Sequence, residues 1–154
     1  MKWMLNLVYR EVESDLFKVN KTYYLAHCIS ADFAMAAGIV VEFNKEFDMK
    51  SRLKKKYPDY IMDWIRNSRS YDCLLEDRVF NLVTKTRYYN KPTYNSLTGA
   101  LVMMRDLCNE KGINKIAMPL IGCGLDRLMW SRVSKIIKDT FVDTDIDILV
   151  CVKK

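Results

Sequence analysis

Lys115-Ile116-Ala117-Met118-Pro119 is followed by Leu120-Ile121-Gly122-Cys123-Gly124-Leu125-Asp126-Arg127-Leu128 and then by a periodic segment from Trp130 to Phe141. An apolar strand thus runs through a glycine-containing loop into a helix, the unit from which sheets covered by helices are built. The same alternation extends in both directions. Downstream, Ile146 to Val152 reads as a last strand. Upstream, Thr93 is a plausible N-cap for a helix from Tyr94 to Glu110, with Leu97, Leu101, Met104 and Leu107 or Cys108 at three- and four-residue spacing. Gly112 stands where a left-handed cap is expected.

Farther toward the N-terminus, Tyr71 to Leu75 and Arg78 to Thr84 read as two strands joined tightly through Glu76-Asp77. Ile39 to about Tyr57 is helical in pattern, with Val40, Val41, Phe43, Phe47 and Leu53 as its apolar stripe and Pro58 as its stop. Tyr60 to Arg66 fits a short helix. Leu5 to Val12 and Tyr23 to His27 fit strands, the second leading into the small-residue stretch Ser30-Ala31-Asp32-Phe33-Ala34-Met35-Ala36-Ala37-Gly38. The sum is an α/β chain with helices on both faces of its sheet. No internal boundary or repeat divides residues 1–154, so a single domain is expected.

Composition narrows the class. The 154 residues are 50% apolar and 29% charged, which is globular rather than disordered. No apolar run approaches the roughly 18 residues of a membrane helix, and no secretory leader is apparent, so no membrane partner and no secretion are expected. Five scattered cysteines with no C-x-x-C pair, beside a single histidine, fit neither a disulfide framework nor a zinc site. A reducing cytoplasmic or nuclear-accessible compartment, no metal and no cofactor are the expectations, and a monomer is expected. The net charge of +6 allows a polyanionic partner, nucleic acid included, without specifying one. The densest basic run, Ser51 to Tyr57, reads either as a solvated helix face or as a phosphate-contacting surface.

Several residues carry possible chemistry. Backbone amides around Gly122 and Gly124 can converge on phosphate oxygens, although an ordinary tight turn has the same composition. The loop is not a P-loop, because it has no lysine followed by serine or threonine. Asp126 fits a carboxylate that orients water or an N-cap for the following helix. Lys85, at a strand end, is a solvated amine or a nucleophile held beside an apolar wall. His27 and Cys28 are adjacent on a strand and point to opposite faces, so a packed histidine and a core or wall cysteine are expected rather than a catalytic pair. Asp15 fits an acceptor for an adenine amino group or a turn cap. Among the aromatics, Tyr88 and Tyr89 are better placed for stacking than Trp64 or Trp130, because they directly follow Lys85.

These segments together resemble the macrodomain family, and within it the terminal ADP-ribose protein glycohydrolases. The matching stretches are Asp15-Leu16-Phe17, Leu25 to Ser30 with Met35 to Ile39, Thr84-Lys85 with Lys91-Pro92-Thr93-Tyr94, and Met118 to Leu128. They span nearly the whole chain, least clearly from Asp48 to Ser70. The resemblance implies a three-layer α/β/α fold around a mixed, mostly parallel six-stranded sheet. It implies an ADP-ribose site formed by Asp15, Leu16, Ser30, Met35, Ala37, Gly38, Ile39, Thr84, Pro119, Ile121, Gly122, Cys123, Gly124 and Leu125. Within that site, Asp15 would contact adenine, the loop from Ser30 to Ile39 would wrap the distal ribose, and Ile121 to Leu125 would hold the diphosphate. Lys85 and Asp126 correspond to a catalytic lysine and its carboxylate partner.

The implied activity is removal of ADP-ribose from glutamate or aspartate side chains of modified proteins. Hydrolysis of nucleic-acid-linked or terminally phosphorylated ADP-ribose, and non-catalytic recognition of ADP-ribose, are the alternative readings. Two positions depart from the family. Ala36 and Ser14 each replace a glycine, and Ser14 would be strained if its position required a positive φ.

Overall fold

The computed structural model describes residues 6–153. Its six strands are β1 (Val8–Glu13), β2 (Tyr24–Ser30), β3 (Asp72–Glu76), β4 (Val79–Lys85), β5 (Lys115–Met118) and β6 (Asp147–Val152). They form one sheet in the order β1-β6-β5-β2-β4-β3. All neighbouring pairs are parallel except β3 with β4, which gives the mixed, mostly parallel sheet expected. Five helices accompany it: α1 (Ile39–Phe47), α2 (Met49–Lys56), α3 (Tyr60–Arg66), α4 (Tyr94–Lys111) and α5 (Trp130–Phe141).

Alternation along the strands divides the buried side chains between two cores. Ile148 and Val150 of β6, with Phe80 and Leu82 of β4, pack with Leu97, Leu101 and Met104 of α4 and Val133 and Ile137 of α5. Their strand neighbours Leu149, Cys151, Val79 and Val83 pack with Phe43 of α1, Met49 and Leu53 of α2, and Trp64 of α3. Successive strand residues point to opposite faces, so a sheet buried on both sides draws apolar residues at nearly every position. This gives the α/β/α layering its physical basis.

Local chemistry sets the element ends. Thr93 caps α4 by accepting from the Ser96 amide at 2.9 Å, while its own amide donates to the Ser96 hydroxyl at 3.0 Å. Gly112 closes that helix with φ 69°. The long helix expected from Ile39 to Tyr57 is instead two. Asp48 adopts a left-handed conformation (φ 53°), and its amide still donates to the Asn44 carbonyl at 2.8 Å. Aspartate tolerates this conformation better than most residues, and the chain turns there with Phe43, Met49 and Leu53 on the core, whereas Val41 of the expected stripe is exposed. The β3–β4 hairpin turns at Asp77-Arg78, one residue later than expected, with Asp77 at φ 53°. The first strand begins at Val8, where pairing with Asp147 starts, and ends at Glu13. Of its expected residues, Leu5 lies outside the described part of the chain.

His27 is buried in this frame rather than in a site. Its ring stacks on Phe43 with centroids 3.8 Å apart, and Nε2 lies 2.6 Å from Asn81 Oδ1. Asn81 Nδ2 donates to the Leu74 carbonyl at 3.1 Å, so Oδ1 is the acceptor and His27 Nε2 carries the proton. Burial, only partly opposed by the Asn81 hydrogen bond, lowers the His27 pKa from 6.5 to about 4. The unfolded imidazole therefore binds a proton before the folded one does. The stability tied to neutral His27 is complete above pH 6.5 and is lost as pH falls through 4, by about 3 kcal/mol at 1.36 kcal/mol per unit. Urea unfolding at pH 7 and pH 4.5 should show most of this loss, about 2 kcal/mol because pH 4.5 still lies above the folded value, in the unmodified protein and a much smaller one in His27→Gln. An equal loss in both would assign the acid sensitivity to another group.

Candidate functional site

The strands β1, β6, β5, β2 and β4 all end at one edge of the sheet, and there the chain leaves a cleft of about 1340 Å³. Such a location is expected for ligands of open α/β sheets, because strand-to-helix loops diverge at the carboxyl ends of the strands. Asp15, Leu16, Ser30, Met35, Ala37, Gly38, Ile39, Pro119, Ile121, Gly122, Cys123, Gly124 and Leu125 all line it, as do Lys85 and Asp126. Residues far apart in sequence are thus gathered on one surface.

Thr84 is the exception. It precedes Lys85 on β4, so its side chain points to the opposite face, where it is 2% exposed beside Thr93 and Ser96 at the start of α4.

At one end of the cleft, Lys85 Nζ donates to Asp126 Oδ1 at 2.7 Å, with both side chains largely buried at 13% and 14% exposure. Asp126 is therefore not the cap of α5, a position held by Met129. A β-bulge between Ile29 and Ser30 brings Ser30 opposite Lys85, and the Ala31 amide continues the pairing to the Lys85 carbonyl at 2.9 Å. Asp32 then ties two loops together by accepting from the amides of Ala34 at 3.1 Å and Tyr88 at 2.9 Å. Sequence reading assigned no role to Asp32. Its position two residues past a strand end was the available signal.

The loop from Ser30 to Gly38 carries backbone strain. Phe33 and Met35 have φ of 54° and 47°, while both side chains remain buried. Non-glycine residues hold such conformations where surrounding packing enforces them, and such residues concentrate at functional loops. Neither Ser14 nor Ala36 is left-handed, so neither replacement for glycine strains the backbone.

In the second loop, Gly122 has φ 73°, and a Cβ there would stand 3.0 Å from the Leu128 side chain. A larger residue is therefore disfavoured twice. Gly124 is different, because it has no positive φ and a Cβ would meet nothing within 4 Å. Its small size leaves the surface open without being needed for the turn. The Leu128 amide closes the loop onto the Gly122 carbonyl at 2.8 Å, and Lys91 Nζ donates to the Leu125 carbonyl at 2.7 Å. Lys91 thus anchors the residue next to Asp126.

The thiols in the cleft are poor nucleophiles. Burial first, and the Asp126 charge second, push Cys28 far above its ordinary value and Cys123 up to about 11. Asp15 accepts from the Phe17 amide at 2.9 Å and caps a 3-10 turn over Leu16–Lys18, while also lining the opposite end of the cleft. Tyr88 lines the cleft at 63% exposure, whereas Tyr89 packs edge-on against it outside. Trp130 is outside too, with its indole donating to Glu11 at 3.1 Å. Among the described residues, no group of three or more His, Cys, Asp or Glu side chains is arranged to hold a metal ion.

A family model described as the Macro domain matches residues 18–137. The chain is 40% identical over 140 residues to ADP-ribose glycohydrolase OARD1 of Homo sapiens, a match covering 90% of this chain and 88% of that protein. The macrodomain of Mycobacterium tuberculosis DarG superposes with a TM-score of 0.76 at 17% identity, over 95% of this chain and 97% of that one. That of Thermus aquaticus DarG gives 0.73 at 19% identity, over 95% and 99%. At these identities the two structural matches establish likeness of fold.

Removing the Lys91 anchor should loosen the loop without unfolding the chain. Lys91→Met should speed amide exchange across residues 122–126 about fivefold, the equivalent of a hydrogen bond worth about 1 kcal/mol. Unchanged exchange would mean that packing alone holds the loop.

Proposed function

The chain belongs to the macrodomain family, and from that premise we propose that it is an ADP-ribose glycohydrolase that frees glutamate or aspartate side chains of modified proteins through Lys85. The observation that carries this reading is the Lys85–Asp126 contact at 2.7 Å, set at the end of a cleft large enough for a dinucleotide-sized ligand. A module that only recognised ADP-ribose would have no use for an amine and a carboxylate paired there.

In this mechanism, adenine lies at the Asp15 end. One Asp15 oxygen holds the Phe17 amide, and the other accepts from the adenine amino group. The turn at Gly122 presents backbone amides to the diphosphate, where fixed dipoles stabilise negative charge without reorganising. The strained loop from Ser30 to Gly38 encloses the distal ribose and directs its anomeric carbon toward Lys85.

The Lys85 nitrogen, in its uncharged form, attacks that carbon with its lone pair and forms a C–N bond. The bond from the carbon to the ester oxygen breaks, and the side-chain carboxylate leaves with the electron pair. Asp126, already hydrogen-bonded to the amine, receives the proton that the nitrogen gives up. Asp126 then assists attack of water on the adduct, and breaking the C–N bond returns Lys85 and releases ADP-ribose. A carboxylate is already a fair leaving group, so the protein's contribution is mainly nucleophile, position and charge stabilisation. Five unpaired cysteines support a reducing compartment as the place of action.

Release of ADP-ribose from glutamate-modified protein should fall at least about 100-fold in Lys85→Arg and in Asp126→Ala, the scale of a lost nucleophile or proton acceptor. Arginine keeps a cation beside Asp126 but cannot attack. Both variants should still bind ADP-ribose by calorimetry. Persistent turnover in Lys85→Arg would remove the lysine from the mechanism.

A further inference from the structure

Past the ends of β2 and β4 the two chains stay paired, with the Ala31 amide donating to the Lys85 carbonyl at 2.9 Å and the Asp32 amide to the Thr86 carbonyl at 3.2 Å. They then part. One chain continues as the strained loop that ends at Gly38, and the other as the turn Arg87-Tyr88-Tyr89-Asn90. This turn is closed on itself. Asn90 Oδ1 accepts from the Arg87 amide at 2.8 Å, and the Asn90 amide donates to the Arg87 carbonyl at 3.0 Å. All of its residues from Arg87 to Asn90 are exposed, so packing does little to set how the turn stands.

The Asp32 carboxylate spans the gap between the two segments. Oδ1 accepts from the Ser30 hydroxyl at 2.5 Å and from the Ala34 amide at 3.1 Å on its own loop, while Oδ2 accepts from the Tyr88 amide at 2.9 Å across the gap. Accepting on both sides at once suits a carboxylate, because a side-chain amide would present N–H to one of them. The neighbouring anchors do not depend on Asp32. Phe33 and Met35 are buried, and Lys50 Nζ donates to the Ala34 carbonyl at 3.2 Å. On either side of the turn, Thr86 Oγ1 is held by the Trp64 indole at 2.9 Å and Lys91 by the Leu125 carbonyl at 2.7 Å. Among the described residues, Asp32 is the side chain that bonds the body of the turn to another loop, and what it fixes is the tilt of the turn between its anchors.

That tilt bears on the site, because Tyr88 lines the main cleft and follows Lys85 closely in the chain. An aromatic ring held at this end narrows the positions open to a sugar and withholds water from the carbon under attack. Both effects act on a step whose rate depends on alignment.

We propose that Asp32 is a positioning residue for the glycohydrolase reaction and that it acts through Tyr88, whose ring it holds against the reacting end of the cleft. The inference rests on the glycohydrolase reading above. It adds to the paired amine and carboxylate a wall that keeps the ribose in line with them.

The test uses a small acyl ester of ADP-ribose. Asp32→Asn keeps the shape and one acceptor oxygen, but sets its NH2 against the Tyr88 N–H. Its kcat should fall about tenfold with KM and Tm unchanged, the mark of lost alignment rather than lost binding. Tyr88→Ala should lose a similar factor, and the double variant no more than either alone, because the two act through one contact. Tyr88→Phe, which keeps the ring, should restore most of what Tyr88→Ala loses. Multiplying losses in the double variant would overturn the role of Asp32, as would a fall in Tm and in ADP-ribose affinity as large as the fall in kcat.

Two readouts do not need turnover. Asp32→Asn should speed exchange of the Tyr88 amide about tenfold, as expected for a lost charge-assisted hydrogen bond. Free ADP-ribose should shift the Tyr88 ring resonances in the unmodified protein and much less in Asp32→Asn. A ring left unmoved by saturating ADP-ribose would overturn the proposal. If the unmodified protein cleaved no ester but the Tyr88 shift still depended on Asp32, the hydrolase reading would fail while the placement of Tyr88 by Asp32 stood.

Discussion

The contact between Lys85 and Asp126 joins a strand end to a loop 41 residues away, and both charges are nearly withdrawn from water. Burying two ions is unfavourable unless their geometry and surroundings compensate, so the structure around them has to be stiff. The Ile29/Ser30 bulge fixes the end of β4, the Gly122 turn fixes the approach of the second loop, and Lys91 holds the carbonyl immediately before Asp126. Each restraint is local. Their shared consequence is an amine and a carboxylate held within hydrogen-bond distance at one end of an open cleft.

That stiffness comes from the sheet. Parallel strands buried on both faces end together at one edge, and the two cores lock their registers by alternation. Departures from low-energy backbone collect at the edge itself. Phe33, Met35 and Arg127 are left-handed in the loops that border the cleft. The packed interior over-determines these conformations, and in return the loops present a fixed surface to a ligand.

Much of the fold was legible because it rests on periodicity. The helix from Trp130 to Phe141, the Thr93 cap and the Gly112 stop follow from side-chain chemistry within a few residues. The break at Asp48 was not legible, since α1 and α2 read as one apolar stripe in the sequence and only packing on the sheet reveals the left-handed turn between them. Segment matching named the residues that line the cleft, but it also included Thr84. Strand alternation turns Thr84 away, although the match itself cannot register a direction.

The sequence by itself determined the order of elements and the two loops rich in small residues, and its resemblance to the family singled out Lys85 and Asp126 as the titratable pair of interest. Tertiary structure alone decided that Asp126 meets Lys85 rather than capping α5, that Gly122 but not Gly124 is required by its backbone, and that Lys91 and Asp32 brace the site. It also decided that Ser14 and Ala36 stand where no positive φ is needed. The physical reason is range. Propensity, capping and periodicity act over one turn or one strand, whereas a contact between residues 41 positions apart depends on how every intervening element packs.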